Sequence, residues 1–381
     1  MQRNFDVIIV GSGPAGAVLA GKLARMGIQV ALLEKEKLPR YKCCAGGLTL
    51  RAAKLLDFDI SGVVENKITG AIITYAGYKS YQRQNNTLVG YTVMRDNFDQ
   101  LLTEQAEKAG AVVLQEHKVT KILMDNERVQ VFTPVNDFCS KLIVGADGSR
   151  GVVAQNINFK AEFSYVVAIE SEVAVSDNVR QKWSSQITID LGRVRGGYAW
   201  VFPKSSHLSI GIGCDRSNAK CLKRIYGEFI DSLYLGLYRI TKQHGGLIPI
   251  CKGKISAVQG RALLVGDAAG LADPLTGEGI HNAILSANLA APVIESSLLH
   301  GPRYLLKYQT ALEKEILPDL KIANFISKVF FKIPSISFGL INRDERIWRT
   351  GCNLLQGETN YVAIKKQLNN LGGIYSFLSN K

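Results

Sequence analysis

FDVIIVGSGPAGAVLAGKLARMGIQVALLE, residues 5–34, decides the fold of this 381-residue chain. Phe5–Val10 is a short apolar run of the buried-strand type. GSGPAG at 11–16 opens a helix that runs through Arg25, and Gln29–Glu34 is a second strand. Together they form a compact βαβ unit. Gly11, Gly13 and Gly16 stand where a dinucleotide fold needs them. The first permits the tight turn, the second lets backbone approach a pyrophosphate, and the third lets helix and strand pack closely. Pro14 and Ala15 complete the loop, and the helix start turns its amides and partial positive charge toward phosphate. Glu34, followed by Lys35, closes the strand 18 residues after Gly16, near the usual distance for an acid that bonds ribose hydroxyls. An acid there repels a 2′-phosphate and disfavours NADP at this loop.

A second stretch, RALLVGDAAGLADPLTGEGI at 261–280, selects the dinucleotide. Ala262–Val265 reads as a buried strand ending in Gly266-Asp267. A small-residue loop with Pro274 follows, then Gly277-Glu278-Gly279 and the helical pattern Ile280–Ala291. One carboxylate and several bare amides at a strand's carboxyl end suit the ribityl and pyrophosphate part of a flavin. Asp267 is the expected ribityl or ribose partner, with the amides of Gly277, Gly279 and Ile280 near the isoalloxazine ring or the pyrophosphate. Asp267 also suits a helix N-cap, and the two roles are compatible. No second GxGxxG occurs, so a single dinucleotide, FAD, has its own unit. The electron donor stays open between transiently docked NAD(P)H and a reduced protein carrier.

Composition narrows the class. Hydrophobic content of 46% with 21% charged residues is that of a folded globular chain. No apolar run reaches transmembrane length, and the N-terminal run leads straight into glycines rather than a signal-peptide pattern. The expectation is a cytoplasmic protein, or one peripheral to a membrane. A net charge of +13 fits nucleic acid, an anionic lipid surface or a phosphate-bearing substrate. Scattered basic residues without an aromatic-interleaved element disfavour nucleic acid. Seven irregularly spaced cysteines make neither a disulfide framework nor a zinc pattern, so no metal site is expected.

The expected fold is α/β: a Rossmann-like FAD-binding domain (1–67, 93–158 and 255–300), an antiparallel β-sheet substrate domain (68–92 and 159–254) and a C-terminal helical segment (301–381). Within the last, Phe325, Ile326, Val329, Phe330 and Phe331, spotted with Lys328 and Lys332, read two ways. They form either a face resting on a bilayer or helices closing a hydrophobic tunnel. Oligomeric state is not legible.

GSGPAG (11–16), MRDNFDQLL (94–102), GADGSRG (145–151) and GDAAGLADPLTGEGI (266–280) together resemble the flavoprotein superfamily of para-hydroxybenzoate hydroxylase. That resemblance implies that Arg95 contacts the flavin side chain or pyrophosphate and that Asp147 belongs to the superfamily's DG motif. Read alone, Arg95 is also a helix-start charge placed to pair with Asp96 or Asp99. PRYKCCAGGL (39–48) and YAWVFPK (198–204) narrow the resemblance to the geranylgeranyl reductase family. Cys43 stands where that family usually has Pro, and Ala45 where it has Gly. Alignment favours Cys44 as the cysteine facing the flavin, with Ala45 and Gly46 beside it.

The resemblance implies FAD-dependent reduction of isolated double bonds in an isoprenoid or prenyl-lipid chain. Flavin N5 gives a hydride, and Cys44, Tyr198 or a bound water gives a proton. Strand alternation puts Tyr198, Trp200 and Phe202 on one face. Aromatic faces there stabilise developing positive charge, or simply pack the sheet. An ordinary thiol, with a reference pKa of about 8.5, is mostly protonated at neutral pH and suits the acid role; packing in a tight loop is the alternative for Cys44. The second functional reading is an FAD-dependent monooxygenase on an aromatic or polyene substrate, because the fold is shared.

Overall fold

The computed structural model describes residues 3–159 and 161–370, so positions 371–381 of the expected C-terminal region lie outside the described residues. The strand of the opening stretch, Arg3–Val10, runs at the centre of a mostly parallel sheet. It pairs with Val30–Leu33 on one side and Asp137–Gly145 on the other. Val112–Leu114 and Ala262–Leu264 extend the parallel set outward. Val7, Ile8, Ile9, Leu32 and Val144 are fully buried, as unbroken apolar runs are when both sheet faces are covered. The helix Pro14–Arg25 packs between Arg95–Lys108 and Ile280–His300. Gly21 permits this, since a Cβ there would lie 3.3 Å from the Ala106 backbone.

The parallel strands thus deliver Gly11, Gly145 and Val265 to one sheet end. Gly11, at φ +101°, needs glycine: a Cβ would meet the Ala146 carbonyl oxygen at 2.5 Å.

A second sheet has the order Arg239–Ile255, Ala161–Ala174, Leu208–Asp215, Gly197–Pro203, Gln186–Leu191, Gly70–Tyr75, Lys79–Gln84. Its pairs are antiparallel except that Gly70–Tyr75 runs parallel to Gln186–Leu191. Residues 70–84 join this sheet, whereas Gly90–Val93 pairs with Gly47–Thr49 and Val64–Ile68 in a small third sheet. One face is covered by Leu222–Ser232, a helix that the β-rich texture of the sequence hid. Its Leu222, Tyr226, Phe229 and Ile230 recur at helical spacing and pack on Ala199, Val201, Ile210 and Ile212. On the other face, Tyr198, Trp200 and Phe202 line a cavity, and Ile189 and Leu191 pack with Phe330, Phe331 and Phe338.

Among the described residues, five helices follow Ile280–His300: Leu306–Glu315, Leu317–Lys332, Pro334–Arg343, Glu345–Gln356 and Tyr361–Asn370. Pro334, which lacks an amide hydrogen, splits the apolar 325–340 stretch in two. Among the described residues, no helix is long and apolar enough to cross a membrane.

Candidate functional site

A cavity of about 850 Å³ runs from the glycine loop, past the Cys44 loop, along the second sheet to Phe330 and Phe331. At its polar end two helix N-termini converge, those of Pro14–Arg25 and Ile280–His300. Neither carries a side-chain cap or an acidic residue in its first turn, so their amides stay available to an anion. Gly13 keeps the wall bare; the nearest atom to a Cβ built there is Arg95 Nη2, at 3.9 Å. Gly16 permits the close packing, because its Cβ would sit 1.9 Å from the Gly11 oxygen. An extended ligand with a central pyrophosphate fits this cradle.

Buried charges surround it. Glu34 lines the cavity and accepts from Ser12 N (3.1 Å) and Oγ (2.7 Å) and from the Glu36 amide (3.2 Å). Burial alone would raise its pKa, but the Arg40 guanidinium, 3.2 Å away, and these hydrogen bonds outweigh that and hold it below the usual range. Arg40 also reaches Asp99 at 2.9 Å, and Asp99 takes a two-pronged contact from Arg95, 2.8 Å on each arm. Arg95 therefore lies beside the glycine loop while paired to Asp99. Lys35 is exposed and pairs with Glu36 at 3.2 Å.

Asp147 turns toward its own segment, accepting from the Val153 amide at 3.0 Å, and its Oδ1 is buried without a partner among the described residues. Burial pushes its carboxyl up to about 6. Asp267 faces the cavity beside the helix start, its Oδ1 2.9 Å from where a Gly279 Cβ would be. Burial also raises its carboxyl, against the pull of Lys42 and Arg95. Gly266, at φ +58°, donates its amide to Ser286 Oγ (3.0 Å).

Cys44 stands where the polar and apolar halves of the cavity meet. Its amide donates to Glu170 Oε2 (3.0 Å), and its Sγ accepts from the Gly46 amide (3.3 Å). Cys43 also lines the cavity but lies near the His244 carbonyl, 3.8 Å from its sulfur, and burial pushes its thiol up to about 12. Tyr198, Trp200 and Phe202 all line the cavity, while the intervening Ala199 and Val201 enter the core behind. Trp200 fits because Gly211 lies under it; a Cβ at 211 would be 2.2 Å from the indole. Tyr198 donates its hydroxyl to the Thr276 carbonyl and stacks on Phe331, with centroids 6.0 Å apart and planes at 17°. Burial raises its phenol pKa.

Two buried residues under this loop carried no role in the sequence reading. Lys204 is 1% exposed and donates 2.8 Å bonds to the Ala45 and Val93 carbonyls. Burial pulls it down to about 8. Glu170, 3% exposed, accepts from Ser209 Oγ (2.8 Å), Tyr41 OH (3.3 Å) and the Cys44 amide. Lys204 sat in the YAWVFPK motif, and Glu170 was visible as a charge on an apolar strand. Only the sheet pairing joins them to Cys44.

The turn with Gly277, Gly279 and Ile280 borders the cavity and is braced from outside. Arg51 binds Glu278 Oε2 through Nε (3.2 Å) and Nη2 (2.5 Å), and Tyr361 OH donates to Asp273 (2.9 Å). Of the two readings of residues 325–331, the aromatic pair follows the one in which helices close a hydrophobic tunnel. Phe330 and Phe331 turn inward and close the apolar arm, because Tyr198 offers a stacking partner there. Among the described residues from 317 onward, the large apolar side chains left exposed are Phe325, Ile333, Ile336, Leu340 and Ile347.

A family model described as FAD binding domain matches residues 4–194. An uncharacterized protein of Methanosarcina barkeri is 33% identical over 341 residues, 89% of this chain and 87% of that one. A digeranylgeranylglycerophospholipid reductase of Methanopyrus kandleri is 27% identical over 86% of this chain and 90% of its own length. The crystal structure of a geranylgeranyl bacteriochlorophyll reductase-like protein from Thermoplasma acidophilum superposes with a TM-score of 0.80 at 22% identity, covering 97% of this chain and 100% of that one. With a flavin-binding family model across half its length and reductases of prenyl lipids among its relatives, the chain belongs to the geranylgeranyl reductase family of FAD-dependent oxidoreductases.

Proposed function

We propose that this enzyme saturates isolated carbon–carbon double bonds in the isoprenoid chain of a prenyl lipid. The observation that carries the reading is one continuous cavity. It has a pyrophosphate cradle at one end, Cys44 at the junction, and apolar walls with the Tyr198–Trp200–Phe202 face at the other. FAD, when bound and reduced, supplies a hydride. Every other requirement falls on the chain. The double bond has no neighbouring carbonyl, so positive charge builds at its branched carbon. Tyr198 and Trp200 face that charge, each worth roughly 0.5–2 kcal/mol. Cys44 holds the proton at Sγ, oriented by its own amide on Glu170 and by the Gly46 amide on sulfur. Ile187, Ile189 and Phe330 exclude water from the apolar arm. The prenyl-lipid substrates in the relatives' names support this substrate class.

The test is an anaerobic half-reaction. Protein carrying dithionite-reduced flavin is mixed with detergent-dispersed digeranylgeranylglycerophospholipid, and flavin absorbance and product mass are followed. Reoxidation with gain of hydrogen is expected. A reduced flavin that waits for oxygen, with oxygen in the product, would overturn the reading in favour of a monooxygenase. Omitting dithionite and supplying NADH, NADPH or a reduced ferredoxin-type carrier identifies the donor. Cys44→Ser should slow reduction about 100-fold or more, the scale of a lost general acid, without loss of flavin; full turnover would remove Cys44 from the acid role.

A further inference from the structure

We propose that Lys204 is the proton relay to Cys44, returning a proton to its sulfur through one water held in a small void beside the loop. The relay rests on Cys44 being the proton donor, as proposed above. The void, about 10 Å³, is lined by Cys44, Arg95, Glu170, Lys204, His207 and Ser209. That is about the space one water needs, and its wall offers the several polar partners such a water requires.

Three observations give the site a direction. Lys204 lines the void and uses two of its three N–H donors on neutral carbonyls, which leaves a third for a water there. Those partners need only a donor; a carboxylate would have locked the ammonium as a permanent ion pair. Burial instead brings its pKa down to about 8, against the opposing pull of neighbours that include Glu170. Finally, His207 spans the wall. Its Nε2 is buried without a partner among the described residues, while Nδ1 lies 3.1 Å from Oγ of the exposed Ser206. Burial and the neighbouring Lys204 hold the imidazole down to about 4, so it is neutral and can carry a proton from one nitrogen to the other.

The proton count closes. The Cys44 S–H bond breaks as its proton passes to the substrate carbon, leaving a thiolate. The water gives a proton to sulfur and takes one from Lys204 Nζ. The neutral amine then regains its proton from solvent through His207. Other titratable groups face this cluster from each packed element. Tyr41 and Lys42 come from the 39–48 loop, Glu65 from Val64–Ile68, and Asp96 from the Arg95–Lys108 helix. Glu170 and Glu172 come from Ala161–Ala174, and Lys242 from the strand beside it.

The test separates relay from support. In Lys204→Ala with excess dithionite to re-reduce the flavin, the first turnover uses the proton already on Cys44 and should be slowed far less than those that follow. Later turnovers should slow at least tenfold, recover on adding ethylamine, and lose the wild-type decline above about pH 8. Nitrogen-15 NMR of His207 should show its titration midpoint rising in the same variant, a readout independent of turnover. Lys204→Met, checked for flavin absorbance, guards against misfolding of the alanine variant. Equal slowing of first and later turnovers, or no slowing, would overturn the relay and leave Cys44 as donor. Full turnover of Cys44→Ser would remove the donor reading instead, and the relay with it.

Discussion

Arg51→Met tests the brace behind the 273–279 turn. Arg51 is the cation of a buried cluster: Glu278 and Asp273 flank it, with side chains 7% and 2% exposed, at 2.5 and 3.6 Å from Nη2. Methionine keeps much of the stem and removes the charge, leaving two carboxylates facing each other. Losing one partner of a buried ion pair costs about 3–5 kcal/mol. Remaining partners soften the loss. Tyr361 OH and the amides of Leu275 and Thr276 still bind Asp273, and Thr49 Oγ1 still donates to Glu278. The expected loss is therefore at the lower end, about 3 kcal/mol, or about 6 °C in Tm at roughly 2 °C per kcal/mol for a large chain. Thermal unfolding followed by circular dichroism and flavin fluorescence measures it. The flavin signal should also change, since Thr276 accepts the Tyr198 hydroxyl. Arg51→Met/Glu278→Gln should recover about half, because one uncompensated charge is gone. A loss under about 1 kcal/mol, or a double variant no better than the single, would refute the cluster's role.

Other outcomes follow from the same geometry. Glu34 has a folded pKa held below its ordinary 4.5, so its contribution to stability is complete above that value and disappears as pH falls toward the lower folded one. Acid titration of unfolding should therefore show a flatter limb in Glu34→Gln, and an unchanged limb would contradict the assignment. Tyr198→Phe removes one hydroxyl bond but keeps the stack on Phe331, predicting a loss of about 1 kcal/mol in stability and a small fall in turnover. A fall of about 100-fold would instead make the phenol the proton source. Trp200→Leu should lower kcat more than KM, because the indole face acts on charge present only in the transition state. For membrane contact, Phe325→Ser with Ile336→Ser and Leu340→Ser should weaken co-sedimentation with anionic vesicles, since these side chains are 40%, 55% and 52% exposed; equal binding would rule that face out.

Much of the cofactor half was legible from residues 5–34 and 261–280. Local physics dictates it: a turn at φ +101° needs Gly11, and close packing needs Gly16, whatever surrounds them. The alternation of 198–202 likewise declared its two faces, because a strand's side chains alternate wherever it sits. The substrate half was less open to reading. Leu222–Ser232 looked like part of a β-rich region, since its short amphipathic pattern gains meaning only against the sheet it covers. Phe330 and Phe331 carry the same hydropathy whether they meet lipid or Tyr198, and only packing turned them inward.

By itself, then, the sequence determined the dinucleotide loop, the late Gly266-Asp267 segment and the aromatic strand face, because each depends on contacts within a few residues or on strand period. The tertiary structure decided what lies under Cys44. Pairing of Ala161–Ala174 with Leu208–Asp215, and of that strand with Gly197–Pro203, sets Glu170 and Lys204 beside a loop more than a hundred residues away. Burial at that meeting point, which no local pattern encodes, is what lowers the lysine's pKa.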